Sequence, residues 1–244
     1  MSKGVTLATW WDVPHLSDKD RDEMLASTPP HLRDARAKGI PTVGSGLIYP
    51  VSEDVITVED FPLPVHWKKA YGLDVGWNRT AAIFGAWDAD SDTVYLYSEH
   101  YVGKAEPAVH AAAIKARGNM RGVIDPASRG RSQHDGSQLM VTYNELGLQI
   151  SKANNAVEAG IYEMWSRFSS GRLKVFKSCR AMLTEYRLYR RDEKGHIVKE
   201  NDHLMDAARY LLMSMPHVMS YVGYEEPKEE VEVGVRIYDG NWMN

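Results

Sequence analysis

Four aspartates fall where a folded chain could gather them. Asp74 lies in Tyr71-Gly72-Leu73-Asp74-Val75-Gly76 and Asp125 in Val123-Ile124-Asp125-Pro126. Asp202 and Asp206 lie in Asn201-Asp202-His203-Leu204-Met205-Asp206-Ala207. The first two close apolar, strand-like runs, and the last two stand four apart on a helical pattern, hence on one face. Acids that converge from strand ends and a helix can hold two divalent cations about 4 Å apart, the arrangement for in-line phosphodiester cleavage without a covalent enzyme intermediate. Oxygen-only ligands favour Mg2+, with Mn2+ able to substitute, over zinc. Asp74, Asp125, Asp202 and Asp206 are therefore the expected catalytic and metal-binding residues, and His203 between the helix acids could ligate or carry a proton.

Each position also has a plainer reading. Asp74 could cap a strand-end turn, Asp125 before Pro126 could set an Asx turn, and Asp202 could cap its own helix. His203 could be a half-exposed surface histidine. Asp206 is harder to explain away, because it lies beside Ala207, Ala208 and Leu211 on the face expected to meet the sheet. A semi-buried carboxylate there needs a cation. The joint pattern, not any single acid, carries the metal-site expectation.

Basic residues suggest where a polyanion would lie. From Trp165 to Glu200 there are ten Lys and Arg against four Asp and Glu, interleaved with Phe168, Phe176, Tyr186 and Tyr189. Arg172, Lys174, Lys177, Arg190 and Arg191 from this stretch are expected to contact a DNA backbone. Arg129 and Arg131, just before His134-Asp135, could grip phosphate bidentately. A solvated face or loop is the alternative in both cases. Met182, Leu183 and Tyr186 read as core. The net charge of −4 does not announce a nucleic-acid protein, but the acidic run from Glu225 to Glu232 shows that charge is segregated along the chain.

The elements that must position these groups follow from periodicity and breakers. Residues 1 to 66 are broken and read as a linker, or as the remnant of a preceding domain. Within them Ser17 caps a helix to about Ala26, a second short helix spans His31 to Ala37, and Leu47 to Pro50 is a brief strand. The main domain, 67 to 218, begins with strands Lys69–Val75, Ala81–Ala86 and Thr93–Tyr101, an antiparallel meander. Then come helix Glu106–Arg117, strand Arg121–Ile124, helix Ser137–Leu146, strand Leu148–Ser151, helix Val157–Ser169, strand Leu173–Phe176 and helix Cys179–Leu188. A charged hairpin at Tyr189–Lys199 precedes a last helix, Asn201 to Met215, which Pro216 is expected to stop. Three antiparallel strands followed by alternating strand and helix is the ribonuclease H-like order, a mixed α/β sheet with helices on both faces. Residues 219 to 244 read as an acidic tail.

Composition excludes several classes. At 244 residues, 43% hydrophobic and 25% charged, the chain can bury one substantial core. No apolar run is long enough to span a bilayer. The single cysteine, Cys179, allows no intrachain disulfide and reads as a small core residue.

Taken together, Gly72-Leu73-Asp74-Val75-Gly76-Trp77-Asn78, Val123-Ile124-Asp125-Pro126 and Asn201-Asp202-His203-Leu204-Met205-Asp206-Ala207-Ala208-Arg209-Tyr210 resemble the nuclease domain of the large terminase subunit of tailed bacteriophages. The run from Arg33 to Pro50 resembles the end of that family's ATPase domain and its linker. The resemblance implies metal-dependent cleavage of concatemeric viral double-stranded DNA, with metal held by Asp74, Asp125 and one or both of Asp202 and Asp206. His203 stands where many relatives carry a second acid. The Tyr189–Lys199 hairpin corresponds to a mobile element beside the family's active site. The implied partners are DNA, the small terminase subunit and the capsid portal, with no membrane. The implied location is the host cytoplasm, transiently on the procapsid and not in the mature virion. No Gly-x-x-x-x-Gly-Lys-Ser/Thr phosphate loop occurs, so the chain reads as a C-terminal fragment without the ATP-driven motor. Two alternatives remain: an ATP-binding, kinase-like enzyme on the same fold, and a non-catalytic module that docks on DNA or portal.

Overall fold

The computed structural model describes residues 9–28, 37, 46–125 and 136–219. Its centre is a seven-stranded mixed sheet. The strands are β1 (Thr57–Val58), β2 (Lys68–Val75), β3 (Thr80–Asp88), β4 (Thr93–Val102), β5 (Arg121–Ile124), β6 (Gln149–Lys152) and β7 (Leu173–Phe176), in the spatial order β1-β7-β4-β3-β2-β5-β6. β3 runs antiparallel to β2 and β4, and every other pairing is parallel. The expected meander followed by parallel strands is therefore what forms. Because β2, β5 and β6 share a direction, their carboxyl ends, and with them Asp74 and Asp125, lie along one rim of the sheet.

Alternation along the strands decides which face each side chain serves. Tyr71, Leu73 and Val75 of β2 bury on one face with Ala82, Phe84 and Ile124. That face is covered by α3 (Pro107–Lys115) and α4 (Gly136–Glu145), through Ala111, Ile114, Leu139 and Tyr143. Ala70, Ala81, Ile83 and Val123 bury on the other, under α5 (Val157–Ser169), α6 (Arg180–Leu188) and α7 (His203–Val218). By the same alternation Asp74 and Asp125 belong to the α7 face. Two short helices precede the sheet, α1 (Asp18–Ser27) and α2 (Glu53–Ile56). α1 starts with the expected Ser17 cap, Ser17 Oγ accepting from the Asp20 amide, and the Asp20 carboxylate completes a capping box by accepting from the Ser17 amide.

Three features differ from the sequence reading. Chain before residue 67 belongs to the same core: Ile48, Tyr49 and Ile56 are buried, and β1 adds a parallel edge strand against β7. A two-residue strand leaves no periodic signal, which is why β1 is invisible in sequence. Pro216 lies inside α7, which runs on to Val218. With only two residues left, the helix needs few further amide donors, and the Met219 amide still closes onto the Met215 carbonyl at 2.9 Å. The Tyr189–Lys199 hairpin reduces to a single bridge, Arg191 to Ile197, around Gly195 at φ +82°, while Arg190 bridges to Leu47 instead. The helix expected at 31–37 and the tail from Ser220 lie outside the described residues, apart from Ala37.

Candidate active site

Helix α7 lies directly on β2, and glycine makes this possible. A Cβ at Gly72 would stand 1.9 Å from the Ala207 carbonyl oxygen, so no larger residue allows the two backbones this close. The contact brings the acid-bearing turn of α7 to the rim where β2 and β5 end. Leu73 pairs with Ile124, so Asp74 and Asp125 leave neighbouring strands side by side.

The side chains there form a chain of contacts from Asp125 to Asp202, with Asp74 and His203 paired beside it. Asp125 accepts from Asn155 Nδ2 at 2.9 Å and from the Tyr210 hydroxyl at 3.2 Å. Asn155 Oδ1 in turn accepts from Arg209 at 3.1 Å, and Arg209 donates to Asp206 Oδ1 at 3.0 Å. Lys199 Nζ reaches Asp206 Oδ2 at 3.2 Å and Asp202 Oδ2 at 3.1 Å. The Lys199–Asp202 contact is an ion pair off hydrogen-bonding geometry, so Asp202 Oδ2 is buried without a hydrogen bond. His203 Nδ1 lies 2.8 Å from Asp74 Oδ2. Tyr49 and Tyr189 are buried nearby, close enough for Asp206 to act on both hydroxyls.

The electrostatics follow from crowding negative charge in a partly dry place. Burial raises the Asp74 carboxyl above its ordinary value, and Asp206 and Asp202 add to this against the His203 hydrogen bond. His203 is raised in turn, chiefly by its bond to Asp74. Burial works to lower the Lys199 ammonium and the Arg209 guanidinium, but Asp206 beside both of them, and Asp202 beside Lys199, hold them above their usual values. The Tyr210 hydroxyl is pushed far up by burial and then by Asp206, Asp74 and Asp125. Asp206 and Asp202 act on Asp74, and Asp206, Asp74 and Asp125 all act on the Tyr210 hydroxyl, so the acids lie around one place.

Its donor chemistry fits a hard divalent cation: carboxylate oxygens from two strands and a helix, one of them buried without a hydrogen bond. Protein cations balance the acids here. Among the described residues no three Asp, Glu, His or Cys side chains converge at metal-binding range. Lys199 and Arg209 each occupy an Asp206 oxygen, and His203 occupies an Asp74 oxygen.

Sequence reasoning missed four members, Lys199, Arg209, Asn155 and Tyr210. Arg209 carried the best available signal, a lone arginine three residues past Asp206 on an otherwise apolar helix face, where it is 2% exposed. Gly160 makes room for it, since a Cβ there would come within 2.5 Å of Arg209 Cγ.

The expected DNA-contacting residues scatter. Arg172 holds Asp92 at 2.7 Å, Lys177 pairs with Glu59, and Arg191 pairs with Glu158 at 2.7 Å. Lys174 donates to the Val55 carbonyl at 2.7 Å. Leu173 aligns through Val94 and Trp87 with Lys68, at the opposite end of β2 from Asp74, so Arg172 and Lys174 start from the far rim. Six residues of strand separate the two levels, roughly 20 Å. Arg190 is exposed at the foot of the segment that delivers Lys199. Arg129, Arg131, His134 and Asp135 lie outside the described residues. Cys179 is buried and its thiol is raised by burial to about 12, which suits an inert core residue.

A mixed sheet with one antiparallel strand, helices on both faces and acids gathered at one rim under a final helix is the ribonuclease H-like architecture. Within that class the Terminase RNaseH-like domain family matches residues 71–215, and the chain belongs to this family. It is 36% identical over 241 residues to the terminase large subunit of Salmonella phage P22, covering 94% of this chain and 48% of that protein. The chain thus spans about half the length of the curated relatives it matches. The P22 large terminase nuclease domain superposes with a TM-score of 0.66 at 33% identity, over 72% of this chain and 95% of that one. The large terminase nuclease from thermophilic phage G20c, with bound magnesium, shares the fold at a TM-score of 0.50 and 17% identity, over 71% and 98% of the two chains.

Proposed function

We propose that this chain is a divalent-metal-dependent endonuclease that cuts concatemeric viral double-stranded DNA during genome packaging. The observation that carries the reading is the linked aspartate site at the carboxyl rim of β2 and β5, with Asp206 delivered by α7. Family membership and magnesium in the G20c nuclease support it.

Asp74, Asp125, Asp206 and Asp202 would hold magnesium, two ions in this reading, and manganese would serve in its place. When bound, the metal supplies Lewis-acid polarisation of the scissile phosphate and a nucleophile from water at neutral pH. The chain's own residues do the rest. Asn155 and Tyr210 fix the Asp125 carboxylate through two donated hydrogen bonds. Arg209 ties Asp206 to that pair, donating to Asp206 Oδ1 and to Asn155 Oδ1. His203 can take up or release a proton at Nδ1, beside Asp74. Lys199 offers the cation that must leave, or turn toward a DNA phosphate, for Asp202 and Asp206 to bind metal. The small terminase subunit and the capsid portal are the protein partners this role brings.

The direct assay incubates plasmid DNA with the chain and Mg2+ or Mn2+. Nicking and linearisation are expected, and they disappear in Asp74→Ala/Asp125→Ala. Equal nicking by the double variant removes the assignment.

A further inference from the structure

Helices α6 and α7 both begin without a side-chain cap of their own. Cys179 precedes α6 and Asp202 precedes α7, and neither side chain accepts from the helix that follows. In both places a glutamate from another element takes over. Glu99 of β4 accepts from the Ala181 and Met182 amides at 2.9 and 2.8 Å. Glu185 of α6 accepts from the Leu204 and Met205 amides at 2.6 and 3.2 Å, through one oxygen. The sheet thus holds α6, and α6 holds α7, through two carboxylates in series.

The second cap has a consequence for the metal site. An aspartate immediately before a helix ordinarily folds back onto the amides two and three residues on. For Asp202 those amides are Leu204 and Met205, the two that Glu185 already occupies. Asp202 instead faces Lys199 with a buried oxygen that has no hydrogen bond. Glu185 is only 2% exposed, and it acts on the acidic site through His203, whose hold on its proton it adds to. A carboxylate buried at that position needs a cation beside it, which Lys199 supplies here.

We propose that Glu185 is a positioning residue: it caps α7 from outside and so keeps the Asp202 carboxylate turned into the acidic site instead of onto its own helix. The proposal rests on the nuclease reading for the purpose of Asp202, but not for the competition between Glu185 and Asp202 over two amides. Without Glu185, Asp202 rotates back to cap α7. The helix then survives, and the site loses a ligand.

The test combines metal binding with a melting cycle on the full 244-residue chain. By calorimetry with Mn2+ alone, Glu185→Ala binds about tenfold more weakly than the parent, the usual scale for residues behind metal ligands, and Glu185→Gln restores most of the affinity. In EDTA, Glu185→Ala and Asp202→Ala each lower the melting temperature slightly, and the double variant falls by more than their sum because no cap remains. Additive melting shifts, or unchanged Mn2+ affinity in a folded Glu185→Ala, overturn the proposal. If Glu185→Ala does not fold, Glu185→Leu, which fills the space but offers no acceptor to the Leu204 and Met205 amides, carries the same cycle with Asp202→Ala, and additivity overturns the proposal there too. If the parent binds no Mn2+, the nuclease reading fails while the melting cycle still decides the cap competition.

Discussion

Asp74 Oδ2 and His203 Nδ1 are 2.8 Å apart, joining the end of β2 to the first residue of α7 across 129 positions of sequence. Two elements that bring the acids together are thus joined through the acids' own neighbour, and His203 is held above its ordinary value by that bond.

The first prediction concerns this pair in metal-free protein. His203 gains affinity for its proton on folding, so its contribution to stability is fully present below the unfolded histidine value, about 6.5. It is lost as pH rises through the higher folded value. Histidine ring resonances followed by NMR in EDTA should show His203 titrating above free histidine. Asp74→Asn should bring that titration down, because the neutral amide no longer favours the imidazolium. An unmoved titration would mean that Asp74 is not its partner.

Lys199 and the metal compete for Asp202 and Asp206. An ion pair to a lysine this exposed is worth at most about 1 kcal/mol, so Lys199→Ala should tighten Mg2+ or Mn2+ binding roughly fivefold in calorimetry. DNA cleavage need not rise with it, since the lysine also offers a charge to phosphate. Weaker metal binding in the variant would show that Lys199 supports the site instead of competing for it.

The fold was largely legible because its long strands and helices carry strong periodicity. Alternation in Tyr71-Gly72-Leu73-Asp74-Val75 fixes which face Asp74 serves, and the apolar stripe of α7 does the same for Asp206. The acids were therefore legible as a group. What stayed hidden depends on contacts remote in sequence. Asn155 joins Asp125 only after β6 and α5 have packed, and Lys199 arrives on a segment with one bridge. Local basic density was misleading for a related reason. Arg172, Lys177 and Arg191 each meet an acid from a distant element, Asp92, Glu59 and Glu158, and composition alone shows no such pairing.

Gly72 tests the contact on which the site is built. Gly72→Ala puts a methyl group into the Ala207 carbonyl and must push α7 off β2. A loss of about 3 kcal/mol is expected from urea unfolding, at the upper end for overpacking because backbone cannot rotate away. Gly195→Ala is the contrast. Nothing lies within 4 Å of its added Cβ, and only its φ of +82° opposes the change. That variant should lose about 1 kcal/mol and keep its metal affinity.

Acid sensitivity should trace to a second histidine pair, away from the acids. His110 Nε2 faces the Ala105 carbonyl at 3.2 Å, so it donates there, and His110 Nδ1 accepts from His100 Nε2 at 2.9 Å. Burial, His110 and Arg117 lower His100 to about 4. A histidine kept neutral in the fold contributes stability above the unfolded value of about 6.5 that is lost as pH falls toward the folded value. Between pH 7 and pH 5 the loss is about 2 kcal/mol. Urea midpoints over that range should fall steeply in the parent and less steeply in His100→Gln. Parallel slopes would assign the acid limb to other groups.

The last prediction separates charge that lies near DNA from charge that ties the fold. Arg172 sits at the sheet rim opposite Asp74 and shares Asp92 with Arg167, whose own contacts are to Asp92 at 3.4 Å and Glu163 at 2.6 Å. A duplex seated over the aspartates would have to bend around the sheet to touch it. Arg172→Ala should therefore leave plasmid nicking and its salt dependence unchanged, while lowering stability by about 1 kcal/mol or less, as a half-exposed ion pair allows. A phosphate contact at this position would instead weaken DNA binding across all sequences and lower the slope of log affinity against log salt by about one. Measuring that slope for Arg172→Ala beside Arg190→Ala, which removes the exposed cation next to the segment carrying Lys199, tells the two roles apart: the slope should change for Arg190 alone.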